Sequence, residues 1–181
     1  PNMTVLDPCD ATEMAQIAEM AVDIPGTVYS RLLRANVPVV FDPATHRVRI
    51  GKGHVVVGGS DVGFVSTGSM TERVIDAQRE LAASGIASSL FHTASIKPFD
   101  AAGLVEFAAS VKRLVVCENH VASGGLASLV IDALYEAGQH RPLLKIAIPD
   151  QFTECGSHTY LLDKYGLSKA RIVERVTAWL A

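Results

Sequence analysis

The sequence predicts an α/β fold: a doubly wound, mostly parallel sheet of about five strands with helices on both faces, preceded by a β-α-β remnant of another α/β domain. Three observations carry this prediction. From Val62 onward, β-prone apolar runs alternate with amphipathic runs of ten or more residues, the pattern of crossover helices joining parallel strands. Capping residues and glycine stops bracket most of those helical runs. Of the 181 residues, 49% are apolar and 19% charged, a mix that can bury a sheet on both faces.

Met3–Leu6 reads as a strand. The chain opens on Pro1 rather than Met, and a strand needs neighbours to pair with, so the chain reads as the back half of something longer. Asp10 is a good N-cap, with Glu13 three residues on. Met14, Ile17, Ala18, Ala21 and Val22 then recur at helical spacing, which predicts an amphipathic helix over 11–22. Pro25-Gly26 ends it, and Thr27–Leu32 is a short β-prone run. Residues 34–60 change character: Pro38, Asp42-Pro43 and four glycines interrupt short apolar runs. They read as an inter-domain crossing with a small hairpin, Val48–Ile50 against His54–Val57. The expected domains are residues 1–42 and 43–181.

Strand 62–66 feeds a helix over 70–84. Ser69 and Glu72 fit a Ser-x-x-Glu capping box. Met70, Val74, Ala77 and Leu81 mark the buried stripe, and Gly85 suits a left-handed stop. Strand 87–92 follows. Pro98 bars a strand from continuing, and Asp100 caps a helix over 101–110 with Leu104, Val105 and Ala108 inward. After strand 113–117, Gly124-Gly125 opens a helix to Ala137 with Leu126, Leu129, Val130, Ala133 and Leu134 on one face. Leu143–Ile148 is a strand stopped by Pro149-Asp150. Ser157–Tyr165 is a short helix ended by Gly166. Ser168 caps the last helix, which buries Ile172, Val173, Val176, Trp179 and Leu180.

The formal net charge is −3, so no basic surface suggests nucleic acid. No apolar run approaches the roughly 18 residues of a membrane helix. Cys9, Cys117 and Cys155 are widely spaced and odd in number. They read as free thiols of a reducing, cytoplasmic compartment. Cys117 and His120 have CxxH spacing, but no second ligand pair follows, so no metal site is expected.

Thr67-Gly68-Ser69 could hold a phosphate at a helix start, or could be a tight, capped βα turn. It lacks GxGxxG and the Walker Gly-Lys-Ser/Thr. Glu118-Asn119-His120 sits past the predicted end of a strand, beside the next helix start, a place where sites form in α/β sheets. His120 could act as a general acid or base. Equally, Glu118 and His120 could hydrogen-bond across a subunit or domain contact. No GxSxG elbow supports a serine nucleophile. The other histidines lack HExxH or i,i+4 pairing and read as surface or packing residues. Arg31 and Arg34, with Asn36, leave a strand together. Arg forks grip phosphate in two-point geometry, although an exposed Arg pair is also ordinary surface.

The order of these segments resembles the C-terminal part of the transketolase family. The motifs are Asp10-Ala11-Thr12-Glu13, Ser30-Arg31-x-x-Arg34-x-Asn36-x-Pro38, Thr67-Gly68-Ser69, Ile96-Lys97-Pro98-Phe99-Asp100, Glu118-Asn119-His120 with Gly124-Gly125-Leu126, and Ile148-Pro149-Asp150-x-Phe152. The resemblance spans essentially the whole chain and is closest to the split transketolases, whose second subunit carries the pyrimidine-binding and C-terminal domains. It implies residues 1–42 as the end of a pyrimidine-binding domain and 43–181 as the C-terminal domain. The implied activity is transfer of two-carbon ketol units between sugar phosphates, using thiamin diphosphate and Mg in the complete enzyme. Arg34 matches the family's substrate-phosphate Arg, with Arg31 and Asn36 beside it. Glu118, His120 and Ser69 remain candidate site or contact residues, and no catalytic residue is assigned here. The family's cofactor-contacting Glu, its Asp-Gly-Pro-Thr-His segment and its Gly-Asp-Gly motif do not occur in these residues. The chain alone is therefore expected to be inactive, and to work as a homodimer or with a thiamin-diphosphate-binding domain or subunit. Alternatives are a portion of a deoxyxylulose-phosphate synthase or of a 2-oxo-acid dehydrogenase β subunit, a purely structural interaction domain, or a free-standing anion- or nucleotide-binding α/β module.

Overall fold

Two sheets organise the chain in the computed structural model, which describes residues 1–34 and 36–181, with Val57 described by its backbone alone. The smaller sheet pairs β1 (Met3–Leu6) in parallel with β2 (Thr27–Ser30), and α1 (Ala11–Ala21) crosses between them. Asp10 begins α1 as predicted: its Oδ1 accepts the Glu13 N–H at 3.0 Å. The buried side of α1 differs from the apolar stripe. Thr12, Glu13 and Ile17 are buried, whereas Ala18 is exposed and Val22 caps the end, 86% exposed. A third strand, β6 (Ser95–Lys97), joins β1 from far along the chain, in antiparallel register. Strand β6 itself was not expected, but it stops at Lys97, as expected of a proline that bars a strand from continuing.

The larger sheet has the order β3-β5-β4-β7-β8. Here β3 is His54–Val57, β4 Val62–Ser66, β5 Ser88–His92, β7 Arg113–Val121 and β8 Leu143–Ile148. All neighbours are parallel except the edge strand β3, antiparallel to β5. The expected α/β architecture, a mostly parallel five-stranded sheet sandwiched by helices, is thus what forms. The expected hairpin does not. β3 takes the free edge of β5, while Val48 and Ile50 pack on the small core of Leu6 and Ile17. The apolar residues before Gly51 gain more from that core than from an isolated two-stranded ribbon.

Alternation along β4 and β7 builds two cores. Phe64 and Val115 face α2 (Met70–Ala83) and α6 (Lys169–Leu180), where the predicted stripe Met70, Val74, Ala77 and Leu81 is fully buried. Val65 and Val116 face α3 (Ala101–Ala109) and α4 (Leu126–Glu136). The short α5 (His158–Lys164) adds Leu162 to the first core. Asp100 and Ser168 cap their helices through the predicted side-chain oxygens, and Ser157, expected as the first residue of its helix, is a cap as well. Ser69 does not. Its backbone is already helical (φ −64°, ψ −11°) and its side chain makes no cap bond, because a capping hydroxyl needs an extended backbone to reach the N2 or N3 amide. Glu72 instead lies beside Arg73, 3.4 Å away.

Candidate functional site

Parallel strands leave their carboxyl ends on one side, and three of these exits, with Asn119 from within β7, converge on a cavity of ≈ 460 Å³. The β1 exit contributes Asp7 to Ala11, and the β2 exit contributes Arg31 to Leu33, then Asn36 and Val37. The start of α2 adds Ser69, and β7 adds Asn119. Segments that are far apart in the chain thus line one space: Arg31, Asn36 and Ser69, all marked by sequence, are in its wall. Arg34 is exposed on the loop between the lining residues Leu33 and Asn36. Ala35, inside the same motif, lies outside the described residues.

Arg31 ties the wall together. Its Nη1 is 3.5 Å from Asp7 Oδ2, and its Nη2 donates to the Asn119 carbonyl. Asp7 is largely buried, with 13% of its side chain exposed. Burial pushes its carboxyl above the ordinary range, against the lowering effect of Arg31 and a hydrogen bond from Thr67. The turn into α2 is shaped around this carboxylate. Gly68 sits at φ +54°, and a Cβ there would meet Asp7 Oδ1 at 2.5 Å. Glycine is thus required at Gly68 by backbone conformation and by space.

Glu118 and His120 lie inside β7 and not past its end, where they were expected. β7 runs on to Val121 instead of stopping at Cys117, and pairs again with β8 at Val121 and Ile148 after an irregularity. The trio is therefore within the strand, not beyond it. Glu118 is 1% exposed, and its oxygens accept the Leu126 N–H at 2.6 Å and the Ala127 N–H at 3.0 Å. It is the cap that α4 lacks at Gly125, satisfying first-turn donors with a charge that complements the helix dipole. A Cβ at Gly125 would lie 2.0 Å from Glu118 Oε2, so glycine opens the helix to admit the carboxylate. His120 is exposed, with Nδ1 3.0 Å from its neighbour's carbonyl. Among the three, Asn119 is the residue that reaches the cavity.

Beneath the cavity lies a network that sequence reasoning missed. Glu13 Oε2 accepts the Cys9 N–H at 2.7 Å. Its Oε1 is 3.0 Å from Nε2 of both His46 and His92. His92 Nδ1 continues to Thr71 Oγ1 at 2.7 Å, and Thr71 to Ser66 Oγ at 2.8 Å. Phe41 stacks on His46 with ring centroids 4.0 Å apart, and His54 packs edge-on against His92. Asp10 Oδ2 accepts the N–H groups of Val40 and Phe41, which pins the crossing segment to α1. Burial opposes charge on Glu13, but His92 and the hydrogen bonds from Cys9 and His46 outweigh it and hold the carboxyl down to about 2. Burial, with the Glu13 and Asp10 charges, drives the Cys9 thiol well above its ordinary value, which makes it a poor nucleophile. The one sequence hint was Glu13 in a capping position. Nothing in its spacing points to a histidine 79 residues later.

Residues 51–172 match the family model described as "Transketolase, C-terminal domain". An uncharacterized transketolase family protein of Sinorhizobium fredii is 38% identical over 99% of this chain and 53% of its own length. An apulose-4-phosphate transketolase subunit of Phocaeicola vulgatus is 30% identical over 95% of this chain and 54% of its own. A 1-deoxy-D-xylulose-5-phosphate synthase of Methylacidiphilum infernorum is 33% identical over 97% of this chain, but only 28% of its own. A solved split-gene transketolase, in an inactive β4 tetramer, is similar with a TM-score of 0.89 at 39% identity, covering 98% of this chain and 57% of that one. The chain thus spans about half the length, or less, of the relatives it matches.

Proposed function

The chain belongs to the transketolase family, and from that premise we propose that it supplies the substrate-phosphate end of the active site, and assembly contacts, in a thiamin-diphosphate-dependent enzyme moving two-carbon ketol units between sugar phosphates. The observation that carries this reading is the convergence of Arg31, Asn36, Ser69 and Asn119 on one cavity, with Arg34 exposed in the chain between two of its lining residues, Leu33 and Asn36. The proposed division is residues 1–42 as the end of a pyrimidine-binding domain and 43–181 as the C-terminal domain. The relatives named as transketolases and their subunits support the transferase reading. The synthase relative supports a second one, a deoxyxylulose-phosphate synthase portion. Assembly is supported by large apolar side chains left in water, among them Tyr135 (76% exposed) on α4 and Phe152 (103%) after β8, since such groups favour contact surfaces.

The residues present do not fit the metal–diphosphate part of the cofactor. No group of three or more His, Cys, Asp or Glu among the described residues is placed to hold a metal ion, and the cavity presents the Asp7 carboxylate, which repels a diphosphate. In the proposed division of labour, a different chain or domain holds that end. Calorimetric titration of the 181-residue chain with thiamin diphosphate and Mg²⁺ is therefore expected to show no binding. Tight binding would refute the division of labour.

Arg34 carries a second expected result. In the complete enzyme, Arg34→Ala should raise KM for phosphorylated donors by about 1.5–3 kcal/mol of lost charge-assisted bonding. Unphosphorylated donors should be nearly unaffected. Equal losses on both would remove Arg34 from the phosphate role.

A further inference from the structure

The phosphate-gripping reading leaves one charged pair in the cavity unexplained. Among its described lining residues, Arg31 is the one cation, and Asp7 and Asp10 are the acids. Asp10 is fully engaged: Oδ1 takes the Glu13 N–H, and Oδ2 takes those of Val40 and Phe41. Arg31 is shared between Asp7 and the Asn119 carbonyl. An oxyanion entering this space meets a guanidinium that is already neutralised and a carboxylate that repels it. An uncharged hydroxyl group meets the opposite. Asp7 offers acceptors, Arg31 and the amides of Asn36 and Asn119 offer donors, and the Ser69 hydroxyl offers either. The remaining wall, from Pro8, Met14 and Leu32, is apolar and suits the carbon face of such a chain.

We propose that Asp7 is a specificity-determining residue, which reserves the cavity interior for the uncharged hydroxyl-bearing chain of a sugar and keeps a phosphate group outside, at Arg34. This deepens the reading above and rests on the cavity being the substrate end. Asp7 achieves it by pairing with Arg31, so that the interior carries no unpaired positive charge. Gly68 makes the arrangement feasible, since any side chain there would push the carboxylate aside.

The test uses the 181-residue chain and inorganic sulfate, a tetrahedral oxyanion whose charge does not change on mild acidification. Arg34→Ala is the background throughout, so the result does not depend on whether Arg34 grips phosphate. Calorimetry should show negligible sulfate binding to the Arg34→Ala protein. Adding Asp7→Asn unpairs Arg31 and should tighten binding by about tenfold or more. Adding Arg31→Met to that pair should abolish the gain. If the Asp7→Asn protein fails to fold, acidifying the Arg34→Ala protein gives the same reading: protonating Asp7 should tighten sulfate binding, and the further change Arg31→Met should remove the effect. Sulfate binding in the Asp7→Asn, Arg34→Ala protein no tighter than in Arg34→Ala alone would overturn the proposal, as would acid-induced tightening that survives Arg31→Met.

Discussion

Glu13→Ala is expected to destabilise the fold by about 3–5 kcal/mol, since each buried donor left without its acceptor costs about 1–3 kcal/mol. Glu13 is 1% exposed and one carboxylate serves three donors: the Cys9 N–H, His46 and His92. Alanine leaves all three without an acceptor in a place with little water to replace it. His92 also orders Thr71 and Ser66, at the start of α2 and the end of β4. The loss therefore reaches from the smaller sheet into the larger. Urea unfolding should show a lower midpoint with an unchanged slope. Glu13→Gln should cost less, since its carbonyl can still accept one bond. A change within about 0.5 kcal/mol for Glu13→Ala, the size of an ordinary surface substitution, would show that the network does not hold the sheets together.

Acid is expected to weaken the protein in two stages. His54 is held down to about 4 from 6.5 by burial and by the nearby charges of His92 and His46, with Glu13 opposing. The fold therefore favours neutral His54. The corresponding stability is whole above 6.5 and is lost as the pH falls from 6.5 to 4. Glu13, at about 2 against 4.5, favours the ionised form in the fold, so its share is intact above 4.5 and is lost between 4.5 and 2. The Glu13 stage is worth up to about 3 kcal/mol at about 1.36 kcal/mol per pKa unit, and the His54 stage less, because solvent screens the partly exposed ring. The groups face one another, so the two sums overlap. Unfolding midpoints measured across this range should fall in both windows. His54→Gln should flatten the upper stage and leave the lower. A full-sized upper stage in that variant would move its origin to another group.

How far such features could be read in advance depended on how local they are. Helix α2 was legible because Met70, Val74, Ala77 and Leu81 repeat at one helical face, and that face is what the sheet buries. Asp10, Asp100 and Ser168 were legible because a cap acts within three residues. The Ser69 box had the same letters and failed, because the Gly68 turn around Asp7 sets a helical backbone at Ser69. The site was half legible. Arg31, Asn36 and Ser69 could be named one by one, but their meeting in one cavity with Asp7 and Asn119 could not.

Periodicity, composition and capping by themselves determined the alternation of strands and helices, and with it a parallel sheet covered on both faces. These follow from short-range geometry and from which residues leave water. Only the tertiary structure decided that Glu118 caps α4, that β6 crosses to the first sheet, and that Glu13 and His92 meet 79 residues apart. Those pairings rest on which polar groups are buried together, and burial of that kind belongs to the packed chain and leaves no spacing in the sequence.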